Sequence, residues 1–158
     1  ETLLIHKDCP KKKINFILNS LKFNGCLIYA DNKARKIFNG NLKNATNKDW
    51  STEYLDAKIS VKIVKNVVEA VEHINKFGTM HTDSIITMNI ESANYFVRSV
   101  KSSIVMHNTS TQFADGGELG FGGEVGISTN KLPPRGPVGL NQLVSYKYHV
   151  AGNGQIRK

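Results

Sequence analysis

The chain has 158 residues, of which 40% are hydrophobic, and a formal net charge of +8. This length suits one globular unit with a core of its own. No apolar run approaches the roughly 20 residues that cross a bilayer, and the N-terminus lacks the pattern of a secretory signal. The sequence therefore predicts a cytoplasmic protein without a membrane partner.

The basic excess raises the question of nucleic-acid binding, because clustered Lys and Arg release counterions from phosphate backbones. Only Lys11, Lys12 and Lys13 are consecutive, and the other basic residues are dispersed among elements that carry apolar faces. We therefore predict no nucleic-acid partner, and binding driven by charge alone stays as a third possibility.

Two cysteines, Cys9 and Cys26, are too few for a disulfide framework and too far apart for a CxxC motif. We interpret both as reduced thiols, although Cys9 beside Pro10 could also be activated by a helix N-terminus. No His and Cys cluster has metal-ligand spacing, so no metal site is predicted.

The first elements alternate between strand and helix. Residues 2–6 predict a buried strand, and Asp8 and Pro10 supply an N-cap region and a first-turn proline for a helix that Gly25 ends. Later elements are a strand at 26–30, a short helix at 31–38 and an alternating strand at 57–64 that is expected near a sheet edge.

Asn66 and Glu69 resemble a capping box, which opens a helix that continues to Gly78. A strand at 84–88, a helix around Phe96 and a strand at 103–107 follow. This alternation predicts an α/β fold, with a mainly parallel sheet and helices on both faces.

Residues 108–139 form a long glycine- and proline-rich stretch that predicts an irregular, functional loop. Its glycine run, around Gly122, is interpreted either as a tight turn or as a phosphate cradle. The alternating residues 143–150 predict a late strand that could pair outside its own domain.

Polar residues follow the strand at 103–107, where ligands of open α/β sheets gather. The segment 107–111 could therefore orient a carbonyl or carboxylate, and capping of the loop is an equally good interpretation. His81 and Asp83 are either a proton-handling pair or a turn with a local hydrogen bond.

Several longer motifs resemble gamma-glutamyl phosphate reductases, also called glutamate-5-semialdehyde dehydrogenases, of the aldehyde dehydrogenase superfamily. They cover essentially the whole chain in the family's order. The motifs are Glu1-Thr-Leu-Leu-Ile-His-Lys-Asp8, Ala45-Thr46, Asp49-Trp50-Ser-Thr-Glu-Tyr-Leu-Asp56, His81-Thr82-Asp83, Asn108-Thr-Ser-Thr111, Phe121-Gly-Gly-Glu-Val-Gly-Ile-Ser-Thr129, Arg135-Gly-Pro-Val-Gly-Leu140, Ser145-Tyr-Lys147 and Gly152-Asn-Gly-Gln-Ile-Arg157.

The resemblance implies an NADPH-dependent oxidoreductase of proline biosynthesis. Such enzymes reduce L-glutamyl 5-phosphate to glutamate 5-semialdehyde and release phosphate. A cysteine thiolate attacks the acyl phosphate, and the resulting thioester accepts hydride. The family resemblance also implies a catalytic domain at residues 1–142 and a C-terminal oligomerisation strand or arm at 143–158, which would make the protein a homo-oligomer.

Site residues follow from the same resemblance. Glu53 matches a glutamate that contacts the nicotinamide ribose. Further candidates are three other residues in the matching motifs, namely His81, Gly122 and Glu124. The substrate pocket of the family is lined at positions that match Asn108, Ser110, Thr111 and Gln112.

Departures from the family pattern concern the chemistry directly. In the family, the nucleophilic cysteine and the nucleotide-binding domain lie upstream of the position that matches Glu1. Neither Cys9 nor Cys26 matches that cysteine. Gln112 replaces a usual arginine, which weakens recognition of an anion. Met80 replaces a usual glycine.

Because the chain has no initiator methionine, we interpret it as a trimmed chain or a piece of a longer one. We expect no catalytic residue in this chain, no tight NADPH binding and no activity of the chain alone. The alternative is a pseudoenzyme remnant that acts as a binding or assembly module.

Overall fold

A computed structural model describes residues 1–157 and shows eight strands and four α-helices within them. Short 3-10 turns lie at Asp49–Ser51, Thr111–Phe113 and Leu140–Gln142. The elements in chain order are β1 (Thr2–His6), α1 (Lys11–Phe23), β2 (Leu27–Ala30), α2 (Asn32–Ile37), β3 (Lys43–Asn44), β4 (Lys58–Val64), α3 (Val67–Phe77), β5 (Thr82–Ile85), α4 (Ile90–Ser99), β6 (Ile104–His107), β7 (Glu124–Ser128) and β8 (Gly136–Gly139).

The first four strands form one parallel sheet in the order β1-β4-β2-β3, which confirms the predicted α/β class. Strand β4 lies between β1 and β2, so the expectation that it runs near a sheet edge is wrong. The alternation of polar and apolar residues wrongly indicated a solvent-exposed face, because other parts of the chain cover the polar side chains of β4. Ser60 is fully buried there.

Helices cover both faces of this sheet, as predicted. On one face, α1 and α2 supply Ile14, Leu18 and Ala34 to a core that also contains Val61 and Ile63 of β4. On the other face, His73 of α3 lies within hydrogen-bond distance of Lys62 of β4. No helix of the described residues is both long enough and apolar enough to cross a membrane.

The helix starts follow the predicted residues closely, with one correction. Pro10 occupies the N-cap position of α1 rather than its first turn, and the Asp8 side chain does not cap this helix. Helix α3 begins as predicted, because the Asn66 side chain accepts a hydrogen bond from the Glu69 amide. The Glu69 carboxylate accepts in turn from the amide of Lys65.

Strands β5 and β6 form a separate parallel pair, so the parallel strands do not make one continuous sheet. Val71 of α3, together with Phe96 and Val100 of α4, forms a small core against this pair. The strand predicted at 84–88 ends at Ile85, because β6, its one partner strand within residues 1–157, ends opposite it at His107.

The stretch 108–139 is not wholly irregular, which corrects the prediction. Strands β7 and β8 pair as an antiparallel hairpin, with an irregularity between Glu124 and Gly126. The glycines and Pro137 of these strands hid them from pattern analysis. Residues 143–150, predicted as a strand, pair with no strand of residues 1–157 and are exposed along their whole length.

Candidate functional site

The loops after β5 and β6 meet where the two parallel strands end. The amide of Asn108 donates to the carbonyl of Ile85 at 2.8 Å. The Ser84 hydroxyl donates to the carbonyl of Thr109 at 2.7 Å. The segment 108–112 is thereby fixed at the carboxyl edge of this strand pair, the place where ligands bind in open α/β folds.

Asn108 is held by the neighbouring loop through its side chain. Its Oδ1 accepts from the Thr87 amide at 2.8 Å, and its Nδ2 donates to the Thr87 carbonyl at 3.0 Å. Its backbone has a φ of 55°, a left-handed conformation in which Asn is enriched. The side-chain amide of Asn108 therefore orders the turn, and the residues that follow Asn108 offer the free polar groups.

Ser110, Thr111 and Gln112 are exposed beyond this turn. The Ser110 hydroxyl accepts from the Gln112 amide at 3.2 Å and caps the short 3-10 turn. Neither the Thr111 hydroxyl nor the Gln112 side chain makes a hydrogen bond to any residue of 1–157. Both side chains are consequently available to an oxygen-rich ligand.

Glu53 lies in a loop of the four-stranded sheet, whereas this polar loop belongs to the strand pair β5 and β6. It follows the 3-10 turn Asp49–Ser51, in the connection that leads into β4, and it is exposed. Its carboxylate has no hydrogen-bond or ion-pair partner among the described residues. A free carboxylate at this position can accept hydrogen bonds from sugar hydroxyls.

The glycine-rich loop uses Gly122 for its backbone conformation. Its φ is 78°, and the same value occurs at Gly120, which lets the chain turn tightly before β7. The Glu124 carboxylate accepts from the Gly116 amide at 2.7 Å, so this side chain fastens the start of the loop to β7.

His81 and Asp83 do not form a hydrogen-bonded pair. A ring nitrogen of His81 lies 2.7 Å from the Thr82 hydroxyl, which is the local hydrogen bond of a turn. Asp83 instead accepts from the Ser102 hydroxyl at 2.5 Å. Burial raises the pKa of Asp83, which the Ser102 hydrogen bond partly offsets.

Sequence analysis missed His73, which is 5% exposed and packs its ring between Trp50 and Phe77. Its Nδ1 lies 3.2 Å from the ammonium of Lys62, and its Nε2 has no hydrogen-bond partner. Burial, and to a smaller extent the charge of Lys62, lowers the pKa of His73 to about 4. It lies off the apolar face by which α3 was recognised, so no pattern indicated it.

Metal and thiol chemistry have little support in the described part of the chain. Residues 1–157 contain no group of three His, Cys, Asp or Glu side chains placed to hold a metal ion. Cys9 and Cys26 are free and half-buried, and burial raises the pKa of Cys26. A raised pKa leaves the thiol protonated at neutral pH, which disfavours a nucleophilic role.

Parallel strands covered by helices, with a polar loop at their carboxyl edge, define an α/β protein with a candidate ligand site at the strand ends. No family model matches the chain. It is 51% identical over 156 residues to the gamma-glutamyl phosphate reductase of Prochlorococcus marinus subsp. pastoris, which covers 99% of this chain and 35% of that protein. The corresponding enzyme of Parvibaculum lavamentivorans is 48% identical over 99% of this chain and 37% of its own length.

A solved structure agrees with these relatives. The gamma-glutamyl phosphate reductase of Thermotoga maritima superposes with a TM-score of 0.94 at 44% identity, over 100% of this chain and 38% of that one. The resemblance predicted from the motifs is therefore confirmed: over its whole length, the chain is similar to part of a gamma-glutamyl phosphate reductase. It spans little more than a third of the length of these relatives.

Proposed function

We propose that this chain supplies part of the catalytic domain of an NADPH-dependent reductase that converts L-glutamyl 5-phosphate to glutamate 5-semialdehyde in proline biosynthesis. The observation that carries the proposal is the match over the complete chain to proteins named for this activity, with a TM-score of 0.94 to one of them. We further propose a cytoplasmic location, without a nucleic-acid or membrane partner.

Glu53 is the residue of this chain that suits the cofactor. Its exposed, unpartnered carboxylate fits a ribose hydroxyl, which donates hydrogen bonds to such an acceptor. When bound, NADPH supplies the hydride for the reduction. The chain has no dinucleotide fingerprint between a strand and a helix, so Glu53 would contribute a contact to a cofactor held mainly by other residues.

The loop at 110–112 suits the substrate. The Thr111 hydroxyl and the Gln112 amide can donate to oxygens of an acyl phosphate or carboxylate, while Asn108 keeps the turn in place. A neutral amide at Gln112 binds an anion more weakly than a guanidinium group, because it lacks both the charge and the two parallel donors. The expected substrate affinity is therefore reduced.

We assign the nucleophile to the cysteine that the family carries upstream of the position matching Glu1. Cys9 and Cys26 do not match this position, and the raised pKa of Cys26 keeps its thiol protonated. We therefore propose that the 158 residues by themselves catalyse no reduction and that they act when joined to a segment carrying a reactive cysteine and a nucleotide site.

A second candidate function is assembly through the C-terminal segment 143–150. Tyr146, Tyr148 and Val150 are each more than four-fifths exposed, and the segment pairs with no strand of residues 1–157. An exposed segment with alternating apolar side chains can add a strand to a sheet of another chain. We propose that the protein forms a homo-oligomer through this segment. The alternative is a pseudoenzyme that has kept only this capacity for assembly. Light scattering that finds only monomer at high concentration would argue against both.

The activity proposal is tested with a hybrid enzyme. This chain replaces the matching segment of the Thermotoga maritima reductase, and NADPH oxidation with glutamyl phosphate is followed for the hybrid and for the chain alone. We expect turnover by the hybrid and none by the chain. In the hybrid, Gln112→Arg should lower the KM for glutamyl phosphate by about tenfold, the effect of one charged hydrogen bond. A folded hybrid without turnover would refute the proposal.

A further inference from the structure

The segment that carries Glu53 has no regular secondary structure of its own. After the 3-10 turn Asp49–Ser51, residues 52–57 run to β4 without a helix or strand, and Leu55 has a φ of 48°. An exposed loop of this kind is normally mobile, and a mobile carboxylate binds a ligand weakly because it must be ordered first. The structure shows instead a dense set of side-chain hydrogen bonds on both sides of Glu53.

Asp49 anchors the beginning of the segment. Its Oδ2 accepts from the backbone amide of Thr46 at 2.7 Å and from the Thr46 hydroxyl at 2.6 Å. The hydroxyl bond of Thr46 lowers the pKa of Asp49, so its carboxylate is charged at neutral pH. Charged acceptors make the stronger hydrogen bonds of proteins.

Tyr54 closes the segment onto Asp49. The Tyr54 hydroxyl is 2.9 Å from Asp49 Oδ1 and 2.9 Å from the hydroxyl oxygen of Ser60. Tyr54 has a single proton to donate, and the charged carboxylate is the better acceptor, so Tyr54 donates to Asp49 and accepts from Ser60. Residues 49 and 54 are thus joined directly across Glu53.

This closed segment is also fixed to the sheet. Ser60 is a fully buried residue of β4, one of the two central strands, and its single hydroxyl proton has two acceptors within reach, the Tyr54 hydroxyl oxygen at 2.9 Å and the carbonyl of Asp49 at 3.2 Å. The ring of Tyr54 stacks on Tyr29 of β2, with centroids 5.5 Å apart and an interplanar angle of 14°. The contacts of Tyr54 and Ser60 therefore fix the position of Glu53 relative to β2 and β4, the two central strands of the sheet.

We propose that Asp49, Tyr54 and Ser60 are positioning residues that preorganise Glu53 for the nicotinamide ribose and thereby set the affinity for NADPH. This inference rests on the proposed function, because it takes Glu53 as the cofactor contact. A network with a purely structural role would lower stability when it is cut, but it would not act on the cofactor through Glu53.

The first test uses the 158-residue chain itself and needs no cofactor. Tyr54→Phe keeps the stacked ring and removes the hydroxyl, and Tyr29→Phe is the matched control because the Tyr29 hydroxyl makes no hydrogen bond within residues 1–157. We expect amide hydrogen exchange at residues 52–56 to accelerate at least severalfold in Tyr54→Phe and to stay unchanged in Tyr29→Phe. Equal exchange in both variants would overturn the inference.

The second test measures NADPH binding by fluorescence titration in the hybrid enzyme, for Tyr54→Phe, Glu53→Ala and the double variant. We expect each single change to raise the Kd about tenfold, the effect of one charged hydrogen bond. The double variant should bind no more weakly than Glu53→Ala alone, because Tyr54 acts through Glu53.

The outcomes separate the two proposals. If the effects of Tyr54→Phe and Glu53→Ala multiply in the double variant, the positioning role is overturned while Glu53 remains a cofactor contact. If Glu53→Ala binds NADPH normally, or if the unaltered folded hybrid does not bind it, the proposed function itself fails. Thermal melting of each variant confirms that the measured protein is folded.

Discussion

The N-terminal region (residues 1–77) and the C-terminal region (residues 78–157) differ in how much apolar surface each one buries. The larger core contains nine buried residues, all of them in the N-terminal region. The second core has only three, and one of these, Val71, belongs to α3 of the N-terminal region. Most of the large exposed hydrophobic residues lie between Ile86 and Ile156.

The comparison indicates which region covers its own apolar side chains and which region leaves them exposed. The N-terminal region has a sheet covered on both faces, which is the arrangement of a self-supporting α/β layer. The C-terminal region carries the polar loop at 108–112 and the extended segment 143–150, and it leaves apolar groups uncovered beside both. Large exposed apolar patches mark interaction surfaces, so we propose that substrate binding and assembly involve mainly this region.

The largest expected effect is a cavity in the N-terminal core. Leu18 is fully buried in α1, so Leu18→Ala should lower the free energy of unfolding by about 2–5 kcal/mol. Val150→Ala is the matched change in the C-terminal region, where the side chain is 89% exposed, and should change the free energy by less than about 0.5 kcal/mol. Urea denaturation measures both, and similar losses would remove the contrast between the regions.

A smaller effect concerns the acid sensitivity of the N-terminal region. The pKa of His73 is about 4 in the folded chain and about 6.5 in an unfolded one, so unfolding takes up a proton between these values. The associated stability is fully present above pH 6.5 and is lost as the pH falls towards 4. We expect a loss of about 3 kcal/mol over this window, because each pKa unit of difference corresponds to about 1.4 kcal/mol.

His73→Phe removes this titration and the unpartnered Nε2 while it keeps an aromatic ring between Trp50 and Phe77. Thermal melting at a series of pH values should then show a flatter acid limb. His149→Phe, at an exposed position, is the control and should leave the limb as it is. An unchanged acid limb in His73→Phe would contradict the buried neutral state of this ring.

A change at Asp31 tests how the helix α2 is joined to the sheet. Its Oδ1 accepts from the Ala34 amide at 2.7 Å, and its Oδ2 accepts from the Ile63 amide at 3.2 Å. Asp31→Ala should lower stability by about 1–2 kcal/mol, since it removes the N-cap and leaves an amide of β4 without its acceptor. Asp31→Asn retains a capping oxygen, so a chemical melt should show a smaller loss; equal losses would exclude the capping role.

The smallest effect on folding is expected at Tyr148, which is 86% exposed in the C-terminal region. Tyr148→Ser should leave the melting temperature of the dilute chain within about 1–3 °C, because the ring buries little surface. At high concentration it should shift the mass found by light scattering towards monomer. A large loss of melting temperature at low concentration would show that this segment supports the fold of its own chain.

Much of the N-terminal region could be predicted from the sequence because its signals are local. Asn66 caps α3 through its side chain, and α1 buries Ile14 and Leu18 at the apolar spacing of a helix, although Ile17 on the same expected face is exposed. The position of β4 in the sheet could not be predicted, since polar Ser60 and Lys62 imitate a solvent face. They are covered by Tyr54 and by α3, which only tertiary structure brings near.

The candidate site was predicted less completely. The motif residues Glu53 and Gln112 lie in exposed loops, as a ligand requires, but sequence gives no indication of what holds these loops. The bridge from Asn108 to Thr87 and the contact of Tyr54 with Asp49 join residues through geometry rather than pattern. The hairpin of β7 and β8 was missed because its glycines and proline have low strand propensity.

The most direct test of the contrast between the two regions is native-state hydrogen exchange of the isolated chain, resolved by residue. We predict that the amides of Val61 and Ile63 in β4 exchange only through global unfolding, whereas those of Met106 in β6 and of residues 143–150 exchange through local opening at least a hundredfold faster. Equal protection of β4 and β6 would contradict the account, because it would mean that the C-terminal region is stabilised as fully as the N-terminal core.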